Sequence, residues 1–552
     1  MYIDKPFNVV NGKRHQRVLL RESYRENGKV CHRTVANLSA CKPEEIAAIE
    51  LALKHKHDLA SLGTSQPFEL RQGDSIGAVW LLNEVATRIG LVDALGRDRA
   101  GKLALWQVIA RALRQGSRLG AVRLAKSHAV AEVLGLEGFN EDHLYPNLAW
   151  LSEQQATVEK SLLRSAHEGA YKGVFLYDVT SSYLEGEHNA LGAWGYNRDK
   201  KKGKKQIVVG LLCDANGLAL SIEVFAGNTT DPATFGPQVQ KVLDRFGATQ
   251  ITFVGDRGMI KGPQIEELRK APGVEFHYVT AISKPQIEKL LGGGLFQMEL
   301  FDRPLAEVLD PSDGVRYVLR RNPVRAEEIR LSRKSKLESL QKAVGAQNAR
   351  LADHPRAGLA TALADVERRR IKLGLDSWTS LTGDGRQVVL AVLDEALAEQ
   401  SKLDGCYVIK TDLAAEALDA ASVHARYKDL AMVEQAFRTS KTAQLELRPI
   451  YVRCEASTRG HVFVVMLAYR LVQELQACWA SLDCTVEEGL LQLDALCLTE
   501  VLVSGKVVDQ IVPEGRALVA QLLKLAKVEI PRRIKAPKAN VYTKVKLKRK
   551  RK

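Results

Sequence analysis

The chain has 552 residues, 45% of them hydrophobic, and a formal net charge of +15. That length exceeds what one core supports, so several domains are expected, and the basic excess favours a polyanion, nucleic acid first. No run approaches a membrane span, no apolar signal core opens the chain, and the eight cysteines form no C-x-x-C pair, so a reduced cytoplasmic protein with no membrane partner is expected.

Residues 1–65 read as a small basic β module. Asn11-Gly12 and Asn27-Gly28 separate strand-like pieces, including Val18-Leu19-Leu20 and Thr34-Val35-Ala36, and Lys13, Arg14, Arg17, Arg21 and Arg25 punctuate them. A helix should start at Pro43. Such a module either binds DNA or simply docks as a sheet. Residues 75–168 read as helical: Ala78–Ile89, Leu103–Leu113 and Ala121–Leu134 carry apolar residues at i, i+3 and i+4. Arg111, Arg114, Arg118, Arg123 and Lys126 give this region a second basic surface.

The next stretch carries the chemistry. Val174-Phe175-Leu176-Tyr177 is an apolar run that ends on Asp178, and a buried strand tolerates an acid best at its tip. A loop over 192–205 follows, with Trp194 and Tyr196 among Arg198, Lys200, Lys201, Lys202, Lys204 and Lys205. An aromatic among basic residues can stack on an exposed base; the plainer reading is a solvated Lys run with one anchoring Trp. Asp214-Ala215-Asn216-Gly217 then joins two apolar runs, 206–213 and 218–225, as a hairpin. A helix is expected over 232–246, and Ile251–Gly255 is a strand that delivers Asp256. Parallel pairing of the two acid-bearing strands would set Asp178 beside Asp256.

Either acid alone reads as a cap or an ion-pair member. Together, beside a Lys-rich loop, they point to a site. Adjacent carboxylates repel, and a divalent cation removes the conflict. Hard oxygen ligands favour Mg²⁺ or Mn²⁺, and two ions could clamp the attacking and leaving oxygens of a phosphodiester.

A helix over 263–270 and a strand over 276–282 should continue the core. Residues 283–403 read as an insertion domain, strand-like at Phe296–Leu300 and Val315–Leu319, then charged and helical over 323–373 with a break near Pro355. Cys406–Lys410 reads as an edge strand returning to the core. Ala421–Lys441 reads as one helix with an apolar stripe at Leu430, Val433 and Phe437. Tyr427, Glu434 and Lys441 recur every seven residues (434 − 427 and 441 − 434), which lines them up along two turns each time. That line suits a phosphate-handling surface or a merely solvated stripe. Leu447–Tyr451 reads as extended, Gly460–Ala477 as an apolar helix behind the core, and 485–530 as helical. The tail from Arg532 to Lys552 is basic and attracts DNA nonspecifically.

The set Asp178, Asp256 and Glu434 resembles the DDE triad of ribonuclease-H-like transposases. Tyr427, Glu434 and Lys441 match the Y-R-E-K signature of the insertion-sequence-four superfamily, and the wording around YDVTSSYLEG and FVGDRGM resembles its sixteen-thirty-four branch. The likeness spans roughly 173 to 471. It departs at Leu430, where the family has an Arg used for DNA contact; Arg426, Lys428 or Arg438 could supply that charge. The resemblance implies a multidomain α/β protein: a β module (1–65), a helical DNA-binding domain (75–168), a ribonuclease-H-like mixed-sheet core (173–282 and 404–480) with a β-rich and helical insertion (283–403), and C-terminal helices with a basic tail (485–552). It implies that Asp178, Asp256 and Glu434 hold two Mg²⁺ or Mn²⁺ ions, and that Tyr427 and Lys441 touch phosphates of the transposon ends. It makes Trp378 a base-stacking candidate, against the plainer reading of a Trp in a small core. It further implies double-stranded DNA, transposon ends and target, as substrate, a homodimer in the synaptic complex, and a nucleoid-associated bacterial enzyme. Alternatives are a ribonuclease-H-like nuclease without strand transfer and an inactive DNA-binding relic.

Overall fold

The structure, a computed structural model, describes residues 1–10, 13–26, 28–57, 68–114, 116–167, 173–257, 259–260, 275–441, 445–448, 452–503 and 505–534. The expected helix over 263–270, most of the basic tail and residues 449–451 lie outside them. The chain divides into two compact units. One comprises Met1–Asp74, Leu496–Glu514 and the described residues from Ile530 on; the other comprises Ser75–Ala495 and Gly515–Glu529.

The first unit begins with β1 (Tyr2–Asp4), β2 (Phe7–Val10), β3 (Lys13–Gln16), β4 (Leu19–Glu26), β5 (Lys29–Asn37), a helix over Pro43–Lys54, and β6 (Phe68–Ser75). β2 and β3 form one hairpin; β4 and β5 form another, with β1 on the far side of β4. Both expected hairpins are therefore present. Arg21, one of the punctuating basic residues, is spent on Asp4 at 2.7 Å.

The second unit is built on one mixed sheet. Its strands are β7 (Gly173–Tyr183), β8 (Gln206–Cys213), β9 (Ala219–Ala226), β10 (Gln250–Gly255), β11 (Glu275–Ala281), β12 (Ala306–Leu309), β13 (Arg316–Arg321) and β16 (Cys406–Thr411); β14 (Thr379–Asp384) and β15 (Gln387–Val392) form a separate hairpin between the last two. The order is β12-β13-β16-β11-β10-β7-β8-β9. β10 is parallel to β7 and to β11, and every other pairing is antiparallel. The β8–β9 turn needs a left-handed residue and has Gly217 at φ 78°.

One face of the sheet is covered by the helix Asp231–Phe246, an amphipathic element between Thr230 and the left-handed Gly247. Phe235 of this helix meets Phe253 of β10 edge-on at 5.2 Å, and Phe175 of β7 stacks on Phe253 at 5.5 Å. Phe175, Tyr177 and Val179 all belong to that core. Strand alternation therefore turns Asp178 to the other face. There the helix Leu430–Lys441 packs on β7 and the buried helix Glu455–Cys478 packs on β9. The latter crosses the helix Glu141–Ala166 so closely that a Cβ on Gly460 would stand 1.9 Å from the Leu148 carbonyl oxygen.

Five expectations need correction. Asp178 is not at a strand tip: β7 runs on to Tyr183, pairing with β8 alone beyond Tyr177. Cys406–Thr411 is not an edge strand, since β13 and β11 flank it. Phe296–Leu300 is no strand; a short 3₁₀ turn occupies Met298–Asp302, with Phe296 and Phe301 buried under β13. Ala421–Lys441 is two helices, Ala420–Lys428 and Leu430–Lys441, broken at Asp429. The region 485–530 is not all helical. Between the helices Val486–Asp494 and Ala517–Leu525 lies a hairpin of β17 (Cys497–Val503) and β18 (Lys506–Ile511), which belongs to the first unit in the order β19 (Arg533–Ile534), β18, β17, β6. The long helices Pro323–Asp353 and Leu359–Leu373 lie where the sequence puts them, and Trp378 is buried among Leu340, Val366 and Val388 in the core they form with β15. No helix among the described residues is long and apolar enough to cross a membrane.

Candidate active site

Parallel pairing puts Gly255 beside Tyr177, so Asp256 follows the end of β10 where Asp178 continues β7. β10 ends there while β7 continues. The gap so opened is a cavity of about 510 Å³, and Asp178, Asp256 and Glu434 all line it. Three segments far apart in sequence thus deliver the three acids to one place. Asp178 is largely buried and accepts a hydrogen bond from the Val179 amide at 2.7 Å. Burial, with Asp256 and Glu434 nearby, pushes its carboxyl up to about 7. Asp256 is exposed; its Oδ1 accepts from the Arg257 amide at 2.6 Å, and Thr280 Oγ1 donates to its carbonyl at 3.1 Å. Glu434 projects from the exposed side of its helix, while Val433, Ala436 and Phe437 bury the other side.

Tyr427 joins this group: its hydroxyl donates to Asp256 Oδ1 at 3.3 Å, and burial together with Asp256 holds its proton on more tightly than usual. Lys441 does not line the cavity. Its ammonium donates to the Ser181 carbonyl at 2.5 Å and to Asp199 Oδ1 at 2.8 Å. Leu430 lines the cavity as a buried apolar wall. Of the possible substitutes for the missing Arg, Arg426 is paired with Asp429 at 3.1 Å, Arg438 is exposed, and Lys428 alone lines the cavity. Arg257, Lys284 and Arg325 line it too. Sequence reasoning did not single them out as site residues. Arg257 was legible only as the neighbour of Asp256; Arg325 sits at the start of a helix that the sequence assigns to the insertion.

The N-terminal region, residues 6–65, matches the IS1634 family transposase N-terminal domain, and residues 171–471, more than half of the chain, match the transposase DDE domain. The chain belongs to the DDE transposases of the IS1634 family. It is therefore a transposase, and membership implies DNA as partner and dependence on a divalent metal. Among curated proteins none matches. A solved structure, the cryo-EM structure of the piggyBac transposase synaptic complex with hairpin DNA, is similar at 8% identity and a TM-score of 0.34, over 76% of this chain and 75% of that one.

The residues of this transposase fit such a metal by their chemistry. Three carboxylates line one cavity, all hard oxygen donors, and the buried one is driven towards protonation by its burial, with the charges of the other two adding to it. They are not drawn into a closed shell: among the described residues no group of three or more His, Cys, Asp or Glu is set to hold an ion. The fit is one of donor type and common cavity.

The basic loop lies beside β7, since the Arg198 amide donates to Ser181 Oγ at 2.9 Å. Its cations are in different situations. Arg198 is held by both Asp231 oxygens at 2.6 Å. Lys204 pairs with Glu185 at 3.2 Å, Lys205 donates to the Glu187 carbonyl at 3.4 Å, and Lys201 lies over the Tyr183 ring at 5.8 Å. Lys200 and Lys202 are exposed, as are Trp194 (62%) and Tyr196 (83%).

Proposed function

We propose that this transposase binds the terminal inverted repeats of its element on double-stranded DNA and catalyses cleavage and strand transfer in the cavity shared by Asp178, Asp256 and Glu434. The observation that carries this reading is the convergence of three acids, from β7, from the end of β10 and from the helix Leu430–Lys441, on one cavity edged by Arg257, Lys284, Arg325 and Lys428. The sheet order and strand directions support a ribonuclease-H-like core. Asp178, Asp256 and Glu434 would hold two Mg²⁺ or Mn²⁺ ions, which when bound supply charge neutralisation and an activated oxygen nucleophile at a phosphodiester.

The chain's own residues then position and neutralise. Arg257, Lys284, Arg325 and Lys428 offset phosphate charge at the cavity rim. Tyr427 orients Asp256 through its hydroxyl. Lys441, Trp194 and the loop cations Arg198, Lys200, Lys201, Lys202, Lys204 and Lys205 track the DNA backbone leading to the cavity. In this reading 1–65 and 75–168 recognise the element's ends, 173–282 with 404–480 carry the chemistry, and two copies pair the ends in a nucleoid-associated synaptic complex in the cytoplasm.

Asp178→Ala tests the assignment. End cleavage with Mg²⁺ should vanish while DNA binding survives; unchanged cleavage would end the assignment. Strand transfer with pre-cut ends separates a transposase cycle from plain nuclease action, and no activity in either assay marks an inactive DNA-binding copy.

A further inference from the structure

A second pocket lies in the helical segment. It opens where the helix Arg99–Leu113 ends and the helix Arg118–Ala125 begins, and its volume is about 280 Å³. Arg111, Arg114, Arg118 and Arg123 line it, and no acid does. Arg111 and Arg118 are only 4% and 5% exposed. A guanidinium buried this deeply is ordinarily matched by a carboxylate. Here Arg118 Nη1 donates to Gln107 Oε1 at 2.5 Å, and Arg111 Nη2 donates to the Gly116 carbonyl at 2.9 Å.

Neither arginine has a carboxylate within ion-pair distance among the described residues. Glu446, whose charge Arg111 feels, is engaged by Arg448 at 3.1 Å. Both side chains line the pocket. Burial lowers Arg111 to about 10; burial and the repulsion of Arg111 lower Arg118 to about 9. The same two charges help hold His461 well below its ordinary value. The helix that starts at Arg118 adds its positive end, with Ser117 Oγ accepting from the Gly120 amide at 3.1 Å. Two buried forks, two further arginines and a helix N-terminus thus converge, and among the described residues the one carboxylate within ion-pair distance of any of the four arginines is Asp494, 3.8 Å from Arg114.

We propose that this pocket binds a phosphate group of the DNA. The inference rests on the DNA-binding reading given above. The pocket is smaller than the ~300–1,000 Å³ usual for small-molecule sites, so it suits a phosphate with its sugar and excludes a base pair. Bidentate arginine forks match phosphate oxygens. The contact carries no base readout, so it fixes register on the duplex rather than sequence.

The test is the salt dependence of binding to a short duplex of arbitrary sequence. Arg118→Gln should weaken binding several-fold whatever the sequence and flatten the plot of log affinity against log salt by about 0.9, the loss of one phosphate contact. Inorganic phosphate should raise the melting temperature of the parent chain and not of the variant, while in phosphate-free buffer the variant melts no lower, because it loses an unpaired buried charge. Should Arg118→Gln fail to fold, Arg123→Gln at the exposed edge of the pocket carries the same measurement. If the parent binds DNA and both variants keep its slope, the pocket is structural and the inference falls, while the DNA reading stands. If the parent binds no duplex at any salt, the DNA reading itself falls and takes the inference with it. Comparing 5′-phosphorylated with unphosphorylated duplex assigns the source: an effect confined to the former marks a terminal phosphate, an equal effect on both marks the backbone.

Discussion

Lys441 and Asp199 meet at 2.8 Å, and Asp199 also accepts from the Tyr183 amide at 3.2 Å. One carboxylate thus ties the last helical turn of the Glu434 element to β7 and to the basic loop. The pair is about three-quarters buried, so its loss matters more than that of a surface bridge. Asp199→Ala should cost about 1–2 kcal/mol in a denaturant melt. It should also raise nonspecific DNA affinity, because a negative charge beside the basic loop is lost and the net charge gains one unit. Unaltered stability would mean that the pair fixes nothing.

Asp178 predicts a pH dependence in the absence of metal. Its folded value of about 7 stands above the ordinary 3.8, so between these values the native state binds more protons than the unfolded state. Stability therefore falls as pH rises through that window and stays lower above it. Asp178→Asn should remove this slope and stabilise the metal-free chain above about pH 7 by on the order of 4 kcal/mol. Mg²⁺ or Mn²⁺ should stabilise the parent more at high pH than at low, because binding displaces the proton. Thermal melts across pH, with and without metal, check both statements.

Trp194 is 62% exposed, so Trp194→Ala should leave the melting temperature within about one degree, as expected for a surface change. Loss of a stacking platform should weaken single-stranded DNA binding by about 1–3 kcal/mol. A fluorescence titration reads it directly.

Gly460 tests the packing behind the site. Gly460→Ala drives a methyl into the Leu148 carbonyl and must push a pair of buried helices apart, costing about 3 kcal/mol or more. The Glu455–Cys478 helix backs β9, so DNA cleavage should fall with stability rather than independently of it.

The acid-bearing strands were legible because each is a short apolar run ending on a carboxylate, and Asn216-Gly217 marks its hairpin by backbone chemistry alone. Asp178 still looks like a strand end. The sequence carries alternation on to Tyr183, but only pairing reveals that β10 stops at Gly255 while β7 does not. The break at Asp429 is hidden because Tyr427, Glu434 and Lys441 keep seven-residue spacing across it, and a spacing argument cannot see a one-residue interruption. Phe296–Leu300 misleads because Phe296, Met298 and Leu300 alternate with the exposed Gln297 and Glu299 at the period of a strand, yet a 3₁₀ turn buries Phe296 and Phe301 instead. The hairpin of β17 and β18 escapes notice because Leu and Val dominate both helices and strands there, and periodicity does not choose between them. Arg325 has no local signal at all: it reaches the acids only because β13 joins the central sheet through β16, a long-range pairing.

That pairing has a mechanical consequence. The helix Pro323–Asp353 begins two residues after β13 ends, runs 31 residues, and sets Arg325 against the cavity of the three acids. At ~1.5 Å per residue it is a rod of roughly 45 Å, with its near end clamped to the catalytic sheet and its far end carrying the Trp378 core. One continuous helix therefore joins Arg325, at the cavity of the three acids, to the Trp378 core, and a displacement of that core reaches the cavity along a single element.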